Sequence, residues 1–213
     1  MDLLALLPPV QRLALAYASA RSRPATLALL ALDARLGDVL RGRLEPIASQ
    51  LRLAWWRDML DRPSAEWPRG EPVLDALRDW RDPSGLAALP NGWEALLAED
   101  LTSTAIGEFA DGRGQAFACL AQELGAGSAP EAVRAGRVWA LADLATHLSE
   151  GAERQVVLEY ARLLPPPAVL PGALRPLAVL AGLGHRALKR GGAPLLSGPA
   201  CTLVALRIGL TGR

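Results

Sequence analysis

Asp143, His147 and Glu150 follow one another at helical spacing, and carboxylate and imidazole groups are the side chains that commonly bind metals or transfer protons. Residues four positions apart project from the same helix face, so the side chains of Asp143 and His147 should converge. This pair could ligate a transition metal ion or titrate as a hydrogen-bonded switch. Alternatively, the two side chains satisfy each other beneath a shallow cavity. Because no third ligand is evident, the interpretation that the two side chains satisfy each other is favoured, and no metal is expected.

Arg41 and Arg137 are candidates for an anion site without metal, because guanidinium groups bind phosphate oxygens through paired hydrogen bonds. The chain contains 22 arginines, a bias that fits a GC-rich genome, so solvated surface positions are the simpler interpretation. Together with Asp143 and His147, these arginines are the residues expected to bind a ligand. His185 lies in a basic stretch near a predicted helix end, where a cation offsets the helix dipole and needs no further role.

The elements that position these groups are predicted to be helices throughout. Alanine and leucine are abundant and β-branched residues are few, a composition that favours helices over strands. Hydrophobic residues make up 51% and charged residues 21%, which is typical of a globular protein. Proline and glycine divide the chain into helix-length pieces. Helices are predicted near residues 9–19, 24–41, 46–61, 71–81, 93–102, 105–124, 130–150, 153–164, 174–190 and 199–210.

The predicted third helix has the clearest periodicity. Its apolar residues recur at helical spacing on one face: Ile47, Leu51, Ala54, Trp55 and Met59. This pattern predicts that Trp55 lies in the core and that Trp56 faces a groove or the surface. One domain is predicted over residues 1–213, with a main bundle at 1–164 and a C-terminal helical pair at 171–213 packed on it.

Charge and cysteine usage exclude several classes of function. The positive charges of the 23 lysine and arginine residues nearly cancel the negative charges of the 22 aspartate and glutamate residues. No overall electric field therefore attracts nucleic acid, and membrane contact is expected to be at most peripheral. Cys119 and Cys201 are not part of a C-x-x-C motif and are interpreted as reduced, buried thiols. The N-terminus lacks the basic region and long apolar stretch of a signal peptide, and no apolar run is long enough to span a bilayer. The cytoplasm is the expected location, with peripheral attachment at the inner membrane as an alternative.

Two segments carry a resemblance. The first contains A-Y-A-S-A at 16–20, L-L-A-L-D-A-R-L-G-D-V-L-R at 29–41 and Q-L-R-L-A-W-W at 50–56; the second is G-R-V-W-A-L-A-D-L-A-T-H-L-S-E-G at 136–151. They resemble the squalene/phytoene synthases, in which an aspartate-rich helix precedes a Q-L-x-x-W helix and a later helix carries G-x-A-x-Q-L-T-N-I-L-R-D. The resemblance implies an all-α bundle of the isoprenoid-synthase type in truncated form.

The family's activity implies that carboxylates on two facing helices hold two prenyl diphosphates through Mg²⁺. In the first helix, Ala34, Gly37 and Arg41 share the face that matches the acidic motif, and this face carries one cation and no carboxylate. In the second helix, His147 stands where the family has an aspartate, and Gly151 stands at the family's last acidic position. The degenerate motif positions, none of which is assigned a catalytic role, are Gly37, Asp38, Arg41, Asp143, His147 and Glu150.

The loss of these ligands predicts a catalytically silent relative that acts as a binding or assembly protein. It is similar to the branch of the superfamily that helps to assemble respiratory complex I and that also lacks the acidic motifs. One alternative is an active squalene or phytoene synthase in isoprenoid or carotenoid biosynthesis, the only case that requires Mg²⁺. Another is an isoprenoid or lipid carrier that binds its ligand, without chemistry, in the hydrophobic cavity that the synthases use for substrate.

Small residues are expected on the helices that would line this cavity. They either leave room for a long apolar ligand or allow the helices to pack closely. They are Gly107, Gly112, Gly114, Gly136 and Ala140.

Overall fold

The structure of the chain, a computed structural model, describes residues 2–42, 45–149, 151–166 and 168–212. These residues form ten α-helices and no β-strand, which confirms the all-α prediction. The helices are α1 (Pro9–Leu15), α2 (Arg23–Arg41), α3 (Pro46–Leu60), α4 (Pro72–Leu77), α5 (Ala88–Ala95), α6 (Ser103–Glu123), α7 (Ala129–His147), α8 (Gly151–Arg162), α9 (Arg175–Lys189) and α10 (Pro199–Thr211). None of the described helices is both long and apolar enough to cross a bilayer.

Proline and capping side chains fix where many of the helices begin. A proline occupies the first or second position of α1, α2, α3, α4, α7, α9 and α10. Its missing N–H is harmless there, because the N–H groups of the first turn have no partner within the helix. The hydroxyl of Thr102 accepts a hydrogen bond from the Ala105 N–H at 3.2 Å and caps the N-terminus of α6.

The core is a single cluster of apolar side chains to which α2, α6, α7 and α9 contribute most. Helix α2 is buried on nearly all sides, from Thr26 to Val39. The indole ring of Trp139 on α7 is fully buried. Helix α9 packs against α7, and α10 packs against α9. The described part of the C-terminal pair therefore shares the core of the remaining helices.

Glycines allow α5, α6 and α7 to approach one another closely. A Cβ atom at Gly112 of α6 would lie 2.5 Å from the Ala88 carbonyl oxygen of α5. A Cβ atom at Gly136 of α7 would lie 2.9 Å from the Cα of Gly114 on α6. Both distances are too short for a side chain, so these glycines serve close helix packing and do not leave room for a ligand.

The prediction for the face of α3 is wrong. Trp55 is 40% exposed and Trp56 only 7% exposed, the reverse of the predicted arrangement. Ile47 and Leu51 also face solvent, whereas the buried face carries Ser49, Leu53, Trp56, Met59 and Leu60. Apolar residues occupy both sides of this helix, so its periodicity fits two opposite faces and cannot identify the buried one.

The helix predicted near 93–102 is also displaced. The structure has α5 at Ala88–Ala95 instead, with Pro90 in its first turn. Pro90 does not interrupt this helix, because the N–H groups of the first turn have no partner within the helix. Gly92 is required inside the helix because a Cβ atom there would lie 3.0 Å from the Glu108 carbonyl oxygen of α6.

Candidate functional site

Arg113 lies at the centre of the bundle, where α2, α6 and α7 meet. Its side chain is only 2% exposed. Its Nε donates a hydrogen bond to Asp33 Oδ1 of α2 at 2.9 Å, and its Nη1 lies 2.8 Å from Asp143 Oδ2 of α7. The two aspartate side chains are 3% and 13% exposed. Asp33, Arg113 and Asp143, here called the central triad, therefore form a buried chain of two carboxylates joined by one guanidinium group.

Neighbouring side chains complete the surroundings of the central triad. The indole Nε1 of Trp93 on α5 donates to Asp33 Oδ1 at 3.0 Å, and Gln11 Nε2 of α1 donates to Asp33 Oδ2 at 3.3 Å. The guanidinium carbon of Arg113 lies 4.8, 4.8 and 5.6 Å from the ring centroids of Trp93, Phe109 and Trp139. Aromatic faces at these distances attract a cation. Five helices thus contribute to holding one arginine.

The electrostatic balance keeps Arg113 charged. Burial by itself would lower the pKa of the Arg113 guanidinium, but Asp33 and Asp143 outweigh this effect and raise its pKa above the ordinary value. Burial raises the pKa of Asp33, and the cation of Arg113 opposes that rise. Because a buried charge without a partner is strongly destabilising, each member of the central triad depends on the others.

Two cavities adjoin the central triad. The first has a volume of about 240 Å³ and the second, which reaches the N-terminal segment, about 360 Å³. Arg41, Trp93, Asp143 and His147 line both. The Arg41 side chain folds back over Gly37, where a Cβ atom would lie 3.0 Å from Arg41 Nη1. The absence of a side chain at Gly37 therefore lets Arg41 cover this end of the cavities.

The structure brings together four of the residues predicted as a site. Gly37, Arg41, Asp143 and His147 line the first cavity. Asp38 lines the second and forms an exposed ion pair with Arg41, 2.9 Å from its Nη2. This pair neutralises the cation that was expected to bind an anion.

The remaining predicted residues lie elsewhere. Arg137 pairs with Asp111 at 2.9 Å and donates a hydrogen bond to the Tyr160 hydroxyl at 3.2 Å, and it lines neither cavity. Glu150 lies outside the described residues. Gly107 and Ala140, two of the small residues expected to line the cavity, also line neither of them.

His147 and Asp143 interact with each other. His147 Nδ1 lies 2.8 Å from the Asp143 carbonyl oxygen and 3.6 Å from Asp143 Oδ1. The other carboxylate oxygen of Asp143 faces Arg113. In the described part of the chain, no group of three or more His, Cys, Asp or Glu side chains is arranged to hold a metal ion.

The residues of the site do not suit the Mg²⁺ ions that the resemblance implies. Mg²⁺ requires several oxygen ligands in near-octahedral geometry. Here the guanidinium of Arg113 lies between the two buried carboxylates, and Asp33 already accepts hydrogen bonds from three side chains. A divalent cation at Asp33 and Asp143 would be repelled by the charge of Arg113 at short range.

Sequence reasoning missed both Arg113 and the inward direction of Asp33. Asp33, which directly precedes Ala34 and is not among the predicted site residues, lines the second cavity. A signal was present: Arg113 stands between Phe109 and Phe117 at spacings of four, where the apolar face of α6 requires a buried residue. A charge at such a position needs buried partners of opposite sign.

No protein-family model, curated protein or solved structure matches the chain. Fold and site together define an all-α bundle whose interior is organised around an arginine held by two aspartates on neighbouring helices.

Proposed function

We propose that the chain is a catalytically silent relative of the squalene/phytoene synthases that acts as a binding or assembly protein. The observation that carries the proposal is Arg113. A permanently charged side chain occupies the place between α2 and α7 where the synthases, by the resemblance, need metal-bound diphosphates. The carboxylates available there already neutralise an internal cation.

The energetic cost of restoring a metal site supports this proposal. Releasing Asp33 and Asp143 for Mg²⁺ would leave the Arg113 guanidinium without partners among three aromatic rings. Breaking a buried ion pair by removing one partner costs about 3–5 kcal/mol. Ionisation of an allylic diphosphate needs metal ions to stabilise the leaving group, so this bundle lacks the electrostatic support for that step.

The exposed face of α3 favours a protein partner. Ile47, Leu51 and Trp55 lie one turn apart, and all three face solvent. An apolar stripe at this spacing is typical of a helix that enters a groove of another protein. By the resemblance, the partner is a subunit or intermediate of respiratory complex I, and the chain works in the cytoplasm at the inner membrane.

The experiment is deletion of the gene in the organism that carries it. We expect reduced NADH dehydrogenase activity and less assembled complex I in the membranes, both restored by the wild-type gene. Leu51→Asp should fail to restore them, whereas Leu163→Asp, also at an exposed leucine but on a different segment, should succeed. Normal NADH dehydrogenase activity in the deletion strain would remove complex I from the proposal.

Carriage of an apolar ligand is a second candidate, favoured by the first cavity. Its volume of about 240 Å³ lies just below the range of about 300–1,000 Å³ for ligand pockets, so it suits one short apolar chain and not two prenyl diphosphates. Native mass spectrometry should detect a copurified lipid that is lost in Leu101→Trp and kept in Leu163→Trp. The apolar walls of the first cavity include Leu40, Leu96, Leu101, Phe109, Leu144 and Leu148.

A further inference from the structure

The near-neutral total charge conceals a strong asymmetry along the sequence. Glu159 is the last acidic residue of the chain. Residues 160–213 contain seven arginine or lysine side chains and no aspartate or glutamate. This segment therefore carries a formal charge of +7, and, because the whole chain carries +1, residues 1–159 carry −6. Such a segment attracts anions even though the whole protein does not.

The basic side chains of this segment border a groove between α9 and α10. The groove has a volume of about 510 Å³ and an apolar floor that includes Ala178, Ala181, Gly182, Val204 and Ile208. Arg186, Lys189, Arg190 and Arg207 line it, and no acidic residue does among those that the structure describes. Arg186 donates a hydrogen bond to the Ser197 carbonyl oxygen at 3.1 Å.

Three cations of the groove remain exposed and available. Lys189, Arg190 and Arg207 face solvent, and within the described residues no carboxylate forms an ion pair with them. Burial, and then the charge of Lys189, lower the pKa of the neighbouring His185. His185 is therefore neutral at neutral pH, and the three long side chains carry the positive charge.

The outer face of α10 is apolar beside these cations. Leu203, Leu206 and Leu210 are 66%, 46% and 70% exposed, and Arg207 projects between them and the groove. The opposite side of α10 is also apolar, with Cys201, Ala205 and Ile208 buried against α9. Because a helix that is apolar all round is ordinarily buried, its outer face requires a covering.

We infer that Lys189, Arg190, Arg207, Leu203, Leu206 and Leu210, here called the C-terminal basic face, bind the surface of an anionic phospholipid membrane. Leucines on one side of a helix enter the boundary between headgroups and acyl chains, while flanking cations contact the phosphates. A second copy of the chain does not fit, because the three cations of one face, Lys189, Arg190 and Arg207, would repel the same three cations of the other. Nucleic acid would leave the leucines exposed to water.

This inference deepens the peripheral placement proposed above, but it does not rest on the absence of catalysis. Vesicle binding reports neither prenyl transfer nor complex I assembly. Absence of vesicle binding would therefore not contradict the proposals on catalysis and complex I assembly. Refutation of those proposals would likewise not contradict membrane binding by the C-terminal basic face.

The test is flotation of the full-length chain with vesicles of phosphatidylcholine alone or with about 30 mol% phosphatidylglycerol. We expect binding to the anionic vesicles, little binding to the neutral ones, and weaker binding at high salt, because salt screens the charges. Lys189→Gln with Arg190→Gln should weaken binding roughly 25-fold, about fivefold for each charge. Leu203→Ser with Leu210→Ser should also release the protein.

Matched changes on α3 serve as controls, since its exposed Ile47 and Arg52 lie outside the C-terminal basic face. Ile47→Ser with Arg52→Gln should bind as the wild type does, and circular dichroism should show that every variant keeps its helices. Equal binding to neutral and anionic vesicles, or unchanged binding of both C-terminal variants, would overturn the inference. A dimer in lipid-free solution would also overturn the inference, if light scattering detects it in the wild type and Leu203→Ser with Leu210→Ser dissociates it.

Discussion

Replacing Arg113 by methionine isolates the contribution of its charge. Methionine keeps a long, flexible side chain that fills much of the same space among the aromatic rings, but it carries no charge. In Arg113→Met, Asp33 and Asp143 would remain buried without their cation. Asp33 would keep only the hydrogen bonds from Trp93 and Gln11.

The expected loss of stability is large. Removing one partner of a buried ion pair costs about 3–5 kcal/mol. For a chain of this size, that corresponds to a decrease in Tm of roughly 6–20 °C. Arg134→Met is the control, because Arg134 pairs with Glu131 at 3.0 Å in a partly exposed position. Such a surface pair contributes about 1 kcal/mol or less.

Urea unfolding at several pH values tests the electrostatic reason. Without Arg113, nothing comparable opposes burial, so the pKa of Asp33 rises further above its ordinary value of 3.8. A carboxyl group with a raised folded-state pKa favours folding below its unfolded pKa, and this contribution disappears as pH rises through the folded pKa. The stability deficit of Arg113→Met relative to the wild type should therefore shrink as pH falls toward 3.8.

A deficit that is the same at every pH would refute this reasoning, because it would show a loss of packing and not of charge. A second control is Arg113→Met combined with Asp33→Asn and Asp143→Asn. Replacing both carboxylates by neutral amides should recover part of the lost stability, since no unpaired buried charge remains.

Three further outcomes are expected from purified protein. Gly112→Ala should destabilise the fold by about 1–3 kcal/mol through overpacking, whereas Gly151→Ala, which meets no atom within 4 Å, should not. Trp56→Ala should cost about 3–5 kcal/mol and the exposed Trp55→Ala much less, which urea unfolding would measure. Burial raises the pKa of the Cys119 thiol from 9.0 to about 11. Alkylation near neutral pH in a variant without the second cysteine should therefore be about 100-fold slower than for an ordinary thiol, and a normal rate would contradict the burial.

The helices could be predicted from the sequence because proline, glycine and alanine-leucine composition act locally. Proline at the start of a helix needs no tertiary context, and the ends of α2 and α6 lie within two residues of their predicted positions. The same local reasoning failed for α5, where close packing of Gly92 against α6 decided that the helix continues past a proline. It also failed for α3, whose two apolar faces differ only in what packs against them.

The candidate site was only partly predictable for the same reason. The i, i+4 spacing of Asp143 and His147 predicts that their side chains converge; His147 Nδ1 lies 3.6 Å from Asp143 Oδ1 and 2.8 Å from the Asp143 carbonyl oxygen. The central triad, by contrast, joins residues 33, 113 and 143, which no local pattern connects. Arg113 on an apolar helix face signals a buried cation, but its partners depend on how α2, α6 and α7 cross.

Incubation of the purified chain with prenyl diphosphates and Mg²⁺ tests the central claim most directly. If the Arg113 guanidinium holds the place between Asp33 and Asp143, no squalene or phytoene should form and no diphosphate should be released above a control without protein. Formation of a prenyl product that requires Mg²⁺ and is abolished in Asp143→Ala would contradict the account.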